Sequence, residues 1–225
     1  MNYSFYKDRH REQRCVLVCN GPSLNKMDLS FLKNETTIGL NKIFLGFSKF
    51  VFFPRYYVAV NKKVIEQSLE QIKRLTCVKF ISDRGKGLIT ENPLTNIIST
   101  EKYYDDFSFD ISRGVQEGYT VTYAALQVIF YLGFKEVVII GMDHRFVYEG
   151  EPNEERVMTK SDTNHFSKEY FKGCKWDNPD LINSEKYYRI AKKIYESNGR
   201  KIIDATVDGA CPVFEKANYK SLFFG

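Results

Sequence analysis

The run Cys15-Val16-Leu17-Val18-Cys19 passes directly into Asn20-Gly21-Pro22-Ser23-Leu24. An apolar run without alternation suits a strand covered on both faces, as in a parallel sheet. Asn-Gly-Pro then stops it: Gly21 admits a backbone path that a Cβ would obstruct, and Pro22 presets φ for a turn or a first helical residue. Ser23 adds a hydroxyl and a backbone N–H where amides converge near a helix start, an arrangement that favours phosphate. The same residues also make an ordinary β-turn. They form neither of the two common glycine fingerprints, because Gly21 stands alone and no Gly-Lys pair follows.

Beyond this strand the pattern alternates. Thr36-Thr37-Ile38-Gly39-Leu40-Asn41 and Tyr56-Tyr57-Val58-Ala59-Val60-Asn61 read as strands that each end on an asparagine, and 77–82 reads as another. A short helix is expected over 27–32 with Asp28 near its start, and a surface helix over 62–75 from the spacing of Val64, Ile65, Leu69, Ile72 and Leu75. One more strand is expected near 96–99, while 43–53 is rich in aromatics and carries no clear pattern. Gly118-Tyr119-Thr120-Val121-Thr122 opens the longest apolar helix, which stops at Gly133. Glu136-Val137-Val138-Ile139-Ile140-Gly141 follows as a buried strand and delivers Met142-Asp143-His144 at its end. A second amphipathic helix is expected over 184–198 with Ser184 as its cap, then a strand at 201–204 and a patternless tail from 205. The polar segment 145–176 is long for a connection, and such loops tend to carry function. The expectation is one α/β three-layer domain over residues 1–225 with a mostly parallel sheet and a loop or lid insertion at about 144–180.

Charge and cysteine content narrow the partners. A net charge of +5, from 33 basic against 28 acidic residues with no long block of like charge, does not suggest a nucleic-acid partner. It is compatible with a phosphorylated substrate or a peripheral contact with an anionic membrane. Five cysteines without a C-x-x-C pair suit a reduced, cytoplasmic protein. The polar start does not read as a signal peptide, and no apolar run approaches the ~20 residues of a membrane span. Phe and Tyr are plentiful, which suits stacking on sugars or bases and core packing equally.

In an open parallel sheet the strand C-termini share one edge, and ligands bind in the crevice there. Asn20, Asn41, Asn61 and Asp143 are therefore expected to converge. Carboxamides read a base, a ribose or a phosphate without committing a charge. Asp143 can serve ribose hydroxyls, a metal or an acceptor, or can simply hold a turn. Metal chemistry has little support, since there is no D-x-D pair and no His/Cys cluster at ligand spacing. A nucleophile elbow, G-x-S-x-G, is also absent. His165 is the best general base, because an imidazole accepts a proton from a hydroxyl near neutrality, with Asp162 and Asn164 placed to orient it.

Three groups of residues together resemble a known superfamily. They are Cys19-Asn20-Gly21-Pro22-Ser23-Leu24, Gly39-Leu40-Asn41, and Thr120 through Gly133-Phe134-Lys135-Glu136-Val137 to Gly141-Met142-Asp143. The superfamily contains the MptE-like 6-hydroxymethylpterin pyrophosphokinases, the flagellin-modifying motility accessory factors and the bacterial sialyltransferases of glycosyltransferase family 42. His165-Phe166, Trp176, Ile202-Ile203-Asp204-Ala205-Thr206, Gly209 and Phe214 resemble its C-terminal half. The resemblance implies a Rossmann-like fold of the sialyltransferase-type GT-A variant. It also implies a nucleotide pocket, cytidine-binding in the sialyltransferases, built here from Asn20, Gly21, Pro22, Ser23, Asn41, Asn61, Thr120, Gly141 and Asp143. The family's loop histidine maps onto His165, and its chemistry needs no metal. Where those sialyltransferases place a tyrosine two residues after the aspartate to stabilise the departing phosphate, this chain has Arg145, and Tyr148 is placed to assist.

The expected activity is thus metal-independent transfer of a sugar from a nucleotide-activated, CMP-linked donor to a glycan or lipid-linked acceptor at the cell surface, with no cofactor beyond the donor. One alternative is a Mg-dependent pyrophosphokinase that moves diphosphate from ATP to a hydroxymethylpterin-like alcohol, with Asp143 as a metal ligand. The other is a non-catalytic nucleotide-binding or nucleic-acid-binding module.

Overall fold

In the computed structural model, which describes residues 3–225, the opening run becomes β1 (Arg14–Val18), with Cys15 to Val18 fully buried. It pairs in parallel with β2 (Thr37–Leu40) on one side and β6 (Glu136–Ile140) on the other, which is why its apolar run does not alternate. β3 (Tyr56–Ala59), β4 (Val78–Ser82) and β5 (Thr95–Ile98) extend the sheet outward from β2. β9 (Lys201–Asp204) and β10 (Glu215–Lys216) extend it from β6, giving the order β10-β9-β6-β1-β2-β3-β4-β5 with every pair parallel. A separate antiparallel ribbon joins β7 (Glu155–Val157) to β8 (Lys175–Asp177).

The helices are α1 (Phe47–Phe50), α2 (Lys62–Gln67), α3 (Leu69–Arg74), α4 (Val121–Leu132), α5 (Leu181–Ser197) and α6 (Tyr219–Phe223). Successive β1 residues serve opposite faces. Cys15 and Leu17 join the core formed with α4 and α5, and Val16 and Val18 join the one formed with α2, α3 and part of 144–180. The result is the expected three-layer α/β architecture of Rossmann-like type. Most of the aromatics are core: Tyr56, Tyr57, Tyr123, Tyr170, Tyr195, Phe80 and Phe134 are fully buried. All five cysteines are free thiols.

Several local expectations need correction. The segment 27–32 is not a single helix; two 3₁₀ turns occupy Pro22–Lys26 and Ser30–Asn34. Asp28 interrupts it, because its carboxylate accepts the Ser30 N–H at 2.9 Å and so starts a new turn there. The helix over 62–75 is broken at Ser68, which takes φ −125° as the last cap of α2 and the first of α3. α5 begins earlier than 184: Asp180 is its cap, accepting the Asn183 N–H at 3.0 Å, and the Ser184 hydroxyl instead donates to the Asp180 carbonyl. The tail is not patternless in space, since it supplies β10 and α6.

Because β1 leads through β2 to β5 on one side, while α4 returns the chain to β6 on the other, the topological switch lies between β1 and β6. Ligand crevices of open α/β sheets form outside the strand C-termini at such a point.

Candidate functional site

A cleft of about 660 Å³ opens at this switch point. Its floor is the C-terminal edge of the sheet: Asn20 and Gly21 after β1, Asn41 after β2, Asn61 after β3, and Gly141 and Asp143 after β6 all line it. Thr120 at the start of α4 and His165 on the 144–180 segment line it as well. The structure therefore brings together residues drawn from widely separated parts of the chain.

The turn after β1 is fixed by close approach. The Gly21 N–H donates to the Gly141 carbonyl at 2.8 Å, and a Cβ on Gly21 would lie 1.8 Å from Asp143 Oδ2 and 2.6 Å from that carbonyl. No side chain fits there. Pro22 opens the 3₁₀ turn behind it and does not reach the cleft. Ser23 is 1% exposed and also lies behind the lining: its N–H and hydroxyl donate to the two Asp143 oxygens at 3.0 and 2.6 Å. It thus orients Asp143.

Burial raises the Asp143 carboxyl above the usual carboxylate range, against the two bonds from Ser23 that favour its ionised form. An acid whose folded pKa exceeds its unfolded value holds its proton longer in the fold. Stability therefore declines as pH rises from about 4 through the folded value, by about 1.4 kcal/mol for each tenfold change in the acid constant. Asp143→Asn should abolish this decline and be at least as stable as the wild type at pH 7; denaturant titrations of both proteins between pH 4 and 7 check it.

Asn20 and Asn41 are half-used. Asn20 Nδ2 donates to the Leu40 carbonyl at 3.1 Å, but its Oδ1 and the Asn41 Oδ1 are buried with no partner in the protein. Asn178, also in the lining, is alike: its Nδ2 donates to the carbonyls of Glu149 and Glu151, and its Oδ1 has no partner. Such acceptors are costly unless a ligand supplies N–H or O–H groups. Asn61 and Thr120 cap their helices, Asn61 accepting the Val64 N–H at 3.1 Å and Thr120 the Thr122 N–H at 3.3 Å.

His165 sits on a rigid support. Its ring stacks on Tyr170 with centroids 3.9 Å apart and planes 3° apart. Nδ1–H donates at 2.8 Å to Asp162, whose side chain is fully buried and also accepts the Asn164 N–H. This pairing leaves Nε2 as the free acceptor nitrogen. Tyr170 is held from below by Lys42, whose backbone N–H donates to the Tyr170 hydroxyl and whose Nζ donates to the Tyr170 carbonyl at 2.9 Å. Burial lowers the Lys42 pKa. The segment is tied to the sheet edge where the Phe166 N–H meets the Asn20 carbonyl at 2.9 Å, and to α2 where Lys63 pairs with Glu155 and Asp177.

Arg145 and Tyr148 lie outside this lining: Arg145 is exposed, and the Tyr148 hydroxyl donates to the Pro179 carbonyl at 3.2 Å. Among the described residues no lysine or arginine lines the cleft, whereas Glu117, Asp143, Asp177 and Asp180 do, so the donors open to an anion are neutral groups and the N-terminus of α4. No group of three His, Cys, Asp or Glu side chains converges as metal ligands among the described residues.

Tyr119, Tyr170, Asn178 and Tyr187 line the cleft without being among the residues expected there. For Tyr119 a signal was present in the glycine before it and the Thr-x-Thr helix start after it. The other three are placed by tertiary packing.

Sheet order and crevice define a Rossmann-like α/β protein with a polar cleft at its switch point. In fold the chain is similar to the MAf glycosyltransferase from Magnetospirillum magneticum AMB-1, with a TM-score of 0.59 and 13% identity over 98% of this chain and 38% of that one. The chain thus spans less than half the length of that protein. No protein-family model matches the sequence, and no curated protein does. No helix among the described residues is long and apolar enough to cross a membrane.

Proposed function

We propose that the chain is a glycosyltransferase module that moves a sugar from a CMP-linked donor to a glycan hydroxyl without a metal ion. The observation that carries this reading is the pair of His165 with the buried Asp162, with Nε2 free, on the same cleft as the sheet-edge amides. Likeness of fold to a glycosyltransferase supports it. In this reading His165 takes the proton of the acceptor hydroxyl as that oxygen attacks the anomeric carbon of the donor, and CMP departs. The donor lies against the polar sheet edge that carries Asn20 and Asn41. Departing phosphate is met by the α4 N-terminus with Thr120 and Thr122, because Arg145 and Tyr148 do not line the cleft.

Thermal shift with CMP, CDP, UDP, GDP, ADP and ATP, each with and without Mg²⁺, tests the proposal. CMP at 100 times its dissociation constant should add about 2.7 kcal/mol of stability, and excess chelator should not alter this. Stabilisation by ATP alone, and only with Mg²⁺, would instead favour diphosphate transfer.

A further inference from the structure

A turn at the mouth of the cleft holds a tyrosine in a conformation that tyrosine disfavours. Gly118 and Tyr119 have φ +56° and +64°, and the Thr120 N–H donates to the Glu117 carbonyl at 3.1 Å. These are the features of a type I′ turn, whose central positions suit glycine, asparagine or aspartate. Gly118 is required, because a Cβ there would lie 2.3 Å from the Tyr123 ring and 2.9 Å from that of Tyr187. Tyr119 is not. A bulky residue at positive φ is strained, and burial does not offset the strain, since Tyr119 is 54% exposed.

The turn is nevertheless locked. Glu117 pairs with Arg84 at 2.7 Å, Thr120 caps α4, and the Tyr123 ring lies 5.0 Å from that of Tyr187. Tyr119 and Tyr187 both line the cleft, with centroids 6.0 Å apart and planes inclined by 40°. Two fixed, angled aromatic faces at a cleft mouth suit a ring that carries C–H groups on one face and hydroxyls at its edge. Asn178 lines the same cleft and supplies a polar carboxamide to it.

We propose that Tyr119 and Tyr187 form an aromatic shelf on which the acceptor's sugar ring stacks. This rests on the transferase reading, which places a nucleotide deeper, at the sheet edge. The strain at Tyr119 is retained because the ring is needed at the mouth rather than for the fold.

Saturation-transfer-difference NMR with the methyl β-glycosides of galactose, glucose and N-acetylglucosamine, recorded with and without saturating CMP, tests it. At least one glycoside should receive saturation chiefly on its axial C–H face, with CMP present. Tyr119→Gly should weaken that binding about tenfold while leaving Tm no lower than wild type, and Tyr119→Trp should restore it. A purely structural tyrosine would give the opposite pattern, with lower Tm and unchanged binding. Unchanged binding in Tyr119→Gly, absence of any glycoside signal in the wild type, or displacement of the glycoside by CMP would each overturn the shelf. CMP stabilisation in the same samples reports separately on the transferase reading.

Discussion

Replacing Gly21 with alanine is expected to lower stability by about 1–3 kcal/mol and to remove nucleotide binding altogether. The added methyl must occupy space 1.8 Å from Asp143 Oδ2, 2.5 Å from its Cγ and 2.6 Å from the Gly141 carbonyl. The carbonyl belongs to the end of a central strand, and Asp143 is clamped by both donors of Ser23, so neither moves cheaply. Overpacking a well-filled site carries a penalty of this size. Relief must come by breaking the Ser23–Asp143 pair or by prising β1 from β6, and either change deforms the floor on which Asn20 and Asp143 stand. Denaturant unfolding and CMP titration of Gly21→Ala measure both effects. Wild-type stability together with wild-type affinity would show that this turn is not the wall of a nucleotide site.

The architecture was largely legible because buried parallel strands write continuous apolar runs, as in β1 and β6, and because α4 is apolar all round. Elements whose residues are exposed left no such trace: β10 consists of Glu215 and Lys216, and only its ladder to β9 makes it a strand. Boundaries failed where a polar side chain competes with the backbone, at Asp28 and Asp180, and at Ser68, where the backbone leaves the helical region without a side-chain cap. The convergence of Asn20, Asn41, Asn61 and Asp143 follows from a parallel sheet sharing one C-terminal edge, so the sequence could anticipate it. Ser23 shows where such reasoning stops. Its position in the turn suits a ligand donor, but the partner of its hydroxyl is a carboxylate 120 positions away, and that pairing exists only once β1 and β6 are neighbours. The same holds for Tyr170 and Lys42, a platform and its support supplied by distant segments. Arg145 follows Asp143 closely in the chain, yet His144 at φ +54° turns the backbone, and Arg145 emerges on the surface.

Replacement of His165 is expected to have the largest effect on chemistry. Alanine would leave the buried Asp162 short of a donor and remove the ring that covers Tyr170, so a loss of activity would be confounded by a loss of structure. His165→Asn retains an N–H donor towards Asp162 while lacking a basic nitrogen. General-base catalysis contributes typically 10²–10⁴-fold, and the variant should lose turnover by about that factor. The proposed nucleotide site is at the sheet edge, away from His165 Nε2, so CMP affinity should stay within about threefold of wild type, well under the tenfold that 1.4 kcal/mol represents. The decisive measurement is sugar transfer from a CMP-linked donor to methyl glycosides, with CMP affinity measured in parallel, for wild type and His165→Asn. If His165 is the general base, turnover is lost and CMP binding is retained; transfer at the wild-type rate in His165→Asn rules that role out.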